Sequence, residues 1–215
     1  MPRVQVTEKI VFKFDELSDD AKEVARAWWR ESEAMYMSDS EFVIEYAEWV
    51  AAILGIEFST RSVGLYGGGT RQKPCVYWSG FYSQGDGACF EGSYSYAKGS
   101  AKAIREYAPK DKTLHAIADS LAEVQKRNFY RLVASISHRG HYYHSGCMSV
   151  DVEDSGNPYR DIGDAGEIVT QAMRDFADWI YDQLRSEYEY VMSDEHVDES
   201  IRINGYEFDE SGNIA

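Results

Sequence analysis

Leu132-Val133-Ala134-Ser135-Ile136-Ser137-His138-Arg139-Gly140, followed after a polar and aromatic stretch by Met148-Ser149-Val150-Asp151-Val152-Glu153, decides the fold. Leu132, Ala134 and Ile136 recur every second residue, and so do Met148, Val150 and Val152. Successive side chains of a strand point to opposite faces, so this period predicts a β-hairpin within residues 129–153, each arm with one apolar face. Asp164 and Glu167 then have the spacing of a capping box. Ile168, Val169, Ala172, Met173, Phe176, Trp179, Ile180, Leu184, Tyr188 and Val191 continue at helical period for about 27 residues. Antiparallel strands beside long amphipathic helices predict an α+β protein: a mainly antiparallel sheet packed by several helices, with a long C-terminal helix.

The same pattern extends in both directions. Val4, Val6, Ile10, Phe12 and Phe14 alternate as a first strand, and Ser18-Asp19-Asp20 opens a helix over residues 18–33. Ser38 and Glu41 form a capping box for a second helix that ends at Gly55. Ile56 to Tyr66 and Cys75 to Ser83 read as two strands flanking a Gly67-Gly68-Gly69 turn. Tyr96 to Ala108 reads as a helix stopped by Pro109, and Asp111 caps the next one. Ile201 to Phe208 is expected to be a short strand or hook, and residues 209–215 a tail free to fray. At 215 residues a single α+β domain, 1–215, is the expectation.

Composition bounds the rest. With 44% hydrophobic and 14% aromatic residues the chain has the material for a packed core, which excludes disorder throughout. The longest near-apolar run, Trp49 to Ile56, falls far short of the roughly 20 residues of a membrane span. No signal peptide is read at the N-terminus, so a cytoplasmic location is expected, that of a bacterial host cell under the resemblance below. Cys75, Cys89 and Cys147 are odd in number and widely spaced, which predicts reduced thiols packed as small hydrophobes. The net charge of −15 divides unevenly: −7 over residues 1–58, +6 over 59–140 and −14 over 141–215. A general grip on nucleic acid is therefore disfavoured.

Three segments have residues suited to chemistry. Around Gln84-Gly85-Asp86-Gly87, glycines allow close backbone approach, so Gln84 and Asp86 could meet a ligand or cation; the alternative is a hairpin turn built on Asp-Gly. In Ser137 to Cys147, an Arg139-Gly140 two-residue turn would set His138 opposite His141, and a break in register would add His144. That histidine hairpin reads as a metal site, as an aromatic and polar sheet edge, or as a recognition surface using Arg139, His141, Tyr142 and His144. Its metal content is left unknown, because neither Cys-x2-Cys nor His-Glu-x2-His spacing occurs. Gly67-Gly68-Gly69 near Arg71 and Lys73 lacks the phosphate-loop spacing and reads as a flexible turn. A fourth feature is the acidic outer face of the long helix, with Asp175, Asp178 and Asp182 as candidate partner contacts.

Tyr77-Trp78-Ser79-Gly80-Phe81, Ser83 to Gly92, His138 to Gly146, Asn204 to Asp209 and Phe14-Asp15-Glu16-Leu17-Ser18 together resemble a family of tailed-bacteriophage and prophage proteins commonly labelled "antitoxin of toxin-antitoxin stability system". The resemblance spans nearly the whole chain and supplies no catalytic residues. It implies a phage accessory protein whose partner is a bacterial host protein, either a defence component or a toxin. Three functions follow in order: a non-catalytic binder that neutralises such a factor; a nucleotide or small-ligand binder using the Gln84–Gly87 loop and the His138–His144 hairpin; and a metal-dependent hydrolase using His138, His141, Asp86 and Asp151. No cofactor is expected, no complete catalytic motif is present, and a homodimer is compatible with the sequence.

Overall fold

The computed structural model describes residues 9–34 and 40–215. Val4 and Val6 of the expected first strand, and the Ser38 cap, lie outside them. The fold is α+β with antiparallel sheets, and it forms two compact units, residues 1–40 with 186–215 and residues 41–185.

In the larger unit a four-stranded antiparallel sheet has the order β2 (Ile56–Phe58), β7 (Gly92–Ser95), β8 (Leu132–His138), β9 (Met148–Asp154). Alternation sorts its faces. Ile56, Phe58, Tyr94, Leu132, Ala134, Ile136 and Met148 are buried on one side. On the other side the register lines up Glu57, Ser93, Ser135 and Asp151 as one row of small and acidic side chains. The core is completed by α2 (Glu41–Leu54), α3 (Ser100–Tyr107), α4 (Lys112–Arg127) and α5 (Ala165–Val191). Helix α5 contributes Val169, Ala172, Met173, Phe176, Ile180 and Leu184 to it, the i, i+3, i+4, i+7 stripe expected of a helix that covers a sheet. Asp111 caps α4 as predicted, its Oδ1 accepting from the Leu114 amide at 2.9 Å, and its Oδ2 accepts the Trp179 indole proton at 2.8 Å.

Two hairpins extend the sheet region. β3 (Thr60–Gly64) pairs with β4 (Thr70–Pro74) around the Gly67–Gly69 turn, and β5 (Val76–Ser79) pairs with β6 (Gly87–Phe90). The expected strands Ile56–Tyr66 and Cys75–Ser83 are thus each shorter: Ser59 breaks the first, and Cys75, whose N–H donates to Ser59 O at 2.7 Å, precedes the second. Helix α3 begins at Ser100 rather than Tyr96, because Tyr94 and Ser95 belong to β7 and Gly99 turns the chain at φ 81°.

In the smaller unit, α1 (Asp19–Ala34) and α6 (Asp194–Asn204) pack Ala21, Ala25 and Trp29 with Val197, Ile201, Phe14 and Phe208. The first strand is reduced to β1 (Phe12–Lys13), paired with β10 (Glu207–Phe208), and Ile10 is 80% exposed. Ile201, expected in a strand or hook, is helical. Ser193 Oγ caps α6 by accepting from the His196 amide, and Gly205 at φ 67° ends it. Residues 209–215 turn back on β10: Asp209 Oδ1 accepts from the Ser211 and Asn213 amides at 2.9 and 3.0 Å, and Ala215 N–H donates to Glu207 O at 2.8 Å. Gly212 there lies directly on the Ala21 carbonyl, where a Cβ would sit 2.0 Å from the oxygen. Among the described residues no helix is long and apolar enough to cross a membrane.

Candidate functional site

The candidate site is built on α5. Its inward residues Phe176, Ala177, Trp179 and Ile180 are buried, which forces Asp178 and Asp182 outward on the opposite side of the same turns. Asp175 is half-buried beside them and accepts from Gln171 Nε2 at 2.7 Å. Tyr181 sits at the border: its hydroxyl donates to Gly80 O at 2.9 Å, and its ring stacks on Phe81 at 5.5 Å. This turn of helix therefore holds the start of the β5–β6 loop.

That loop, residues 80–86, is closed by its own aspartate. Asp86 Oδ2 accepts from the amides of Tyr82 and Ser83 at 3.0 and 2.6 Å. The carboxylate expected to meet a ligand or cation thus serves the loop, although not as an Asp-Gly turn, since Gly87 is the first residue of β6 and pairs with Ser79. Gln84 and Tyr82 are exposed, Tyr82 by 81%.

The histidine segment departs from its expected geometry. His138 pairs with Met148, so β8 and β9 are joined by nine residues, 139–147, and Arg139-Gly140 is not a two-residue turn. The expected opposition of His138 and His141 across a hairpin is lost. His138 instead donates through Nε2 to Tyr142 O at 2.9 Å, and its ring lies against Tyr143 and Tyr77, which stack on each other at 5.6 Å. Arg61 lies over the outer side of this group, 5.5 Å from the Tyr77 centroid. Burial pushes the Tyr77 hydroxyl up to about 12, with a hydrogen bond to Cys75 adding to it. Arg139 and His141 are exposed.

Tertiary structure brings the two loops together. A Cβ on Gly85, which has φ +93°, would sit 2.8 Å from the Tyr142 ring. One on Gly87 would sit 2.6 Å from His144 Cβ. The two glycines are therefore needed for the close approach of the β5–β6 hairpin to the 139–147 loop. The loop ends in a 3-10 turn, Ser145–Cys147, in which His144 Nε2 lies 3.2 Å from Cys147 Sγ. The Ser145 hydroxyl and the His144 ring both lie close enough to Asp178 of α5 to act on its carboxyl. Partial withdrawal from water raises the Asp178 carboxyl above its ordinary value; Asp175 and Asp182 add to the rise, while Ser145 and His144 oppose it.

Gln84, Tyr142, His144 and Asp178, singled out in the sequence on three separate segments, are thus assembled in one region, with Asp175 and Asp182 flanking Asp178. His138 faces the Tyr77 layer instead. Ser145, Cys147 and Tyr181 were not foreseen as site residues. The signal for the first two was the His144-x2-Cys147 interval, which a single 3-10 turn converts into contact. Among the described residues no group of three or more His, Cys, Asp or Glu is placed to hold a metal ion. The cations of the middle third are dispersed: Arg71 and Lys73 pair with Glu41, Arg105 with Asp119, and Arg127 with Asp164.

A family described as "Domain of unknown function (DUF8835)" matches residues 40–194, which is all of the larger unit and nearly three quarters of the chain. The chain belongs to that family. No curated protein and no solved structure matches it. Within the DUF8835 chain both loops and the acidic turn of α5 lie inside the matched span, whereas β1, α1 and β10 lie outside it.

Proposed function

We propose that this DUF8835 protein is a non-catalytic binding protein, phage-encoded, that engages a bacterial host protein through the surface made by loops 80–86 and 139–147 and the acidic turn of α5. The observation that carries the reading is the convergence itself. Gly85 of one loop, three residues after exposed Tyr82, lies against exposed Tyr142 of the other, and His144 faces Asp178, on loops closed by internal hydrogen bonds. Aromatic residues on a preorganised surface are the side chains that dominate protein interfaces, and carboxylates beside them favour a basic partner. The resemblance to phage and prophage proteins supplies the setting: a host defence component or toxin as the target. Nucleotide binding weighs less, because Tyr77 and Tyr143 stack on each other, and Tyr142 on His144 at 6.5 Å, rather than standing apart for a base.

The test is capture from bacterial lysate followed by binding of the purified partner. Wild type should retain a basic partner, and Asp178→Lys with Asp182→Lys should weaken it by about tenfold or more. A partner bound equally by wild type, the charge-reversed protein and Tyr142→Ala would refute this surface.

A further inference from the structure

The three cysteines occupy different environments. Cys75 is 5% exposed and Cys89 fully buried; burial, then the charges of Cys147 and Glu91, push the Cys89 thiol up to about 12. Such thiols are poor nucleophiles, since the thiolate is the reacting form. Cys147 is half-exposed, and its sulfur lies 3.2 Å from His144 Nε2. This pair is held from two sides. The Cys147 amide donates to His144 O at 2.9 Å, closing the 3-10 turn, and Gly87 packs against the His144 Cβ. The Asp178 carboxylate, with Asp175 and Asp182 behind it, faces His144.

We infer that Cys147 is a reactive thiol, with His144 as its proton acceptor, that exchanges with small disulfides and prefers cationic ones. In the exchange the Cys147 S–H proton moves to His144 Nε2 as the sulfur attacks one sulfur of R–S–S–R. The S–S bond breaks, the departing RS− takes the proton from the imidazolium, and the products are the mixed disulfide Cys147–S–S–R and R–SH. One disulfide replaces another, so no further oxidant is required. The preference for cations follows from Asp175, Asp178 and Asp182, which raise the local concentration of positively charged reagents and repel anionic ones. The inference does not depend on the partner-binding reading, since it concerns a small reagent and one side chain.

Peptide-resolved mass spectrometry of the full chain treated with cystamine, a dication, or with glutathione disulfide, an anion, tests it. In the folded protein Cys147 should take up cystamine at least about tenfold faster than Cys75 or Cys89, and faster than Cys147 itself in urea. His144→Gln should lower the folded rate about tenfold and leave the rate in urea unchanged. Cystamine should outpace glutathione disulfide at low salt, and Asp178→Asn should reduce that ratio about threefold. A folded Cys147 no faster than the same residue in urea overturns the inference with wild-type protein alone, whether or not the variants fold. An unchanged rate in a folded His144→Gln protein removes the histidine from it, and an unchanged ratio in Asp178→Asn removes the charge selection.

Discussion

The side-chain amide of Gln125 brackets the peptide unit of Leu132: Gln125 Nε2 donates to Leu132 O at 2.8 Å and Gln125 Oε1 accepts from Leu132 N at 3.2 Å. Gln125 is fully buried near the end of α4, and its Nε2 also reaches the Tyr94 hydroxyl at 3.2 Å. It thereby acts as a substitute strand at the first residue of β8. Replacing it with leucine fills the volume but strands a buried N–H and a buried C=O, at a cost of about 2 kcal/mol or more. Gln125→Leu should therefore lower the urea midpoint at unchanged slope, and a midpoint equal to wild type would contradict the bracket.

Close backbone packing makes two glycines irreplaceable. A Cβ on Gly55 would lie 2.1 Å from Ser95 O, at φ +86°, and one on Gly92 would lie 2.1 Å from Glu57 O. Both join β2 to β7, so either alanine variant must part the strands. Each should cost about 3 kcal/mol, the range of severe backbone conflicts, and depress the thermal midpoint. Gly140→Ala is the control: its surroundings are open within 4 Å, so only its φ of +124° opposes the change.

Asp154 predicts an acid limb of stability. This buried carboxylate accepts from Arg160 Nη1 at 2.6 Å and from the Gly156 and Asn157 amides, and those bonds hold it below its ordinary 3.8, the Arg160 bond foremost. Because the folded state holds this group deprotonated to lower pH, the unfolded chain binds the extra proton. The stabilisation is then complete above about pH 5 and is lost as pH falls through the depressed folded value. Asp154→Asn should flatten that limb in denaturation curves taken between pH 6 and about pH 2.5, and parallel wild-type and variant curves would refute the assignment.

In the smaller unit, Arg26 and Asp198 form a two-pronged pair, Nε to Oδ1 at 2.6 Å and Nη2 to Oδ2 at 2.8 Å, with Glu23 also on the guanidinium. Both side chains are only 16% exposed, and Arg26 holds the Asp198 carboxyl below its ordinary value. Arg26→Ala leaves that carboxylate without its fork and should cost about 2 kcal/mol. Arg26→Lys, with one point charge in place of a planar fork, should recover only part of this. The difference is read from the midpoints of chemical denaturation.

Local chemistry was the legible part of this sequence. The Asp111 cap and the 27-residue period of α5 are set by neighbours within one or two turns, and both match the structure. The alternation of β8 and β9 likewise placed their faces correctly. What escaped has a physical reason in each case. Arg139-Gly140 has the composition of a tight turn, but the chain continues to Cys147 because Tyr143 packs on Tyr77 and His144 packs on Gly87. Helix α6 was hidden by its polarity, since only Val197 and Ile201 are buried on it. The site was legible as separate parts, not as an assembly: Gly85 and Gly87 were marked as turn residues, whereas their closeness to Tyr142 and His144 depends on how two hairpins are stacked by α5.

The Tyr181 contact has a kinetic corollary. Gly80 is tied to Tyr181 and Gly85 packs on the Tyr142 ring, so α5 holds one loop directly and the other rests on it across more than fifty residues of sequence. Loop 80–86 cannot swing outward without breaking its bond to α5 and leaving Tyr142. The amide hydrogens of the two loops should exchange in step rather than independently, with α5 as a common clock for both.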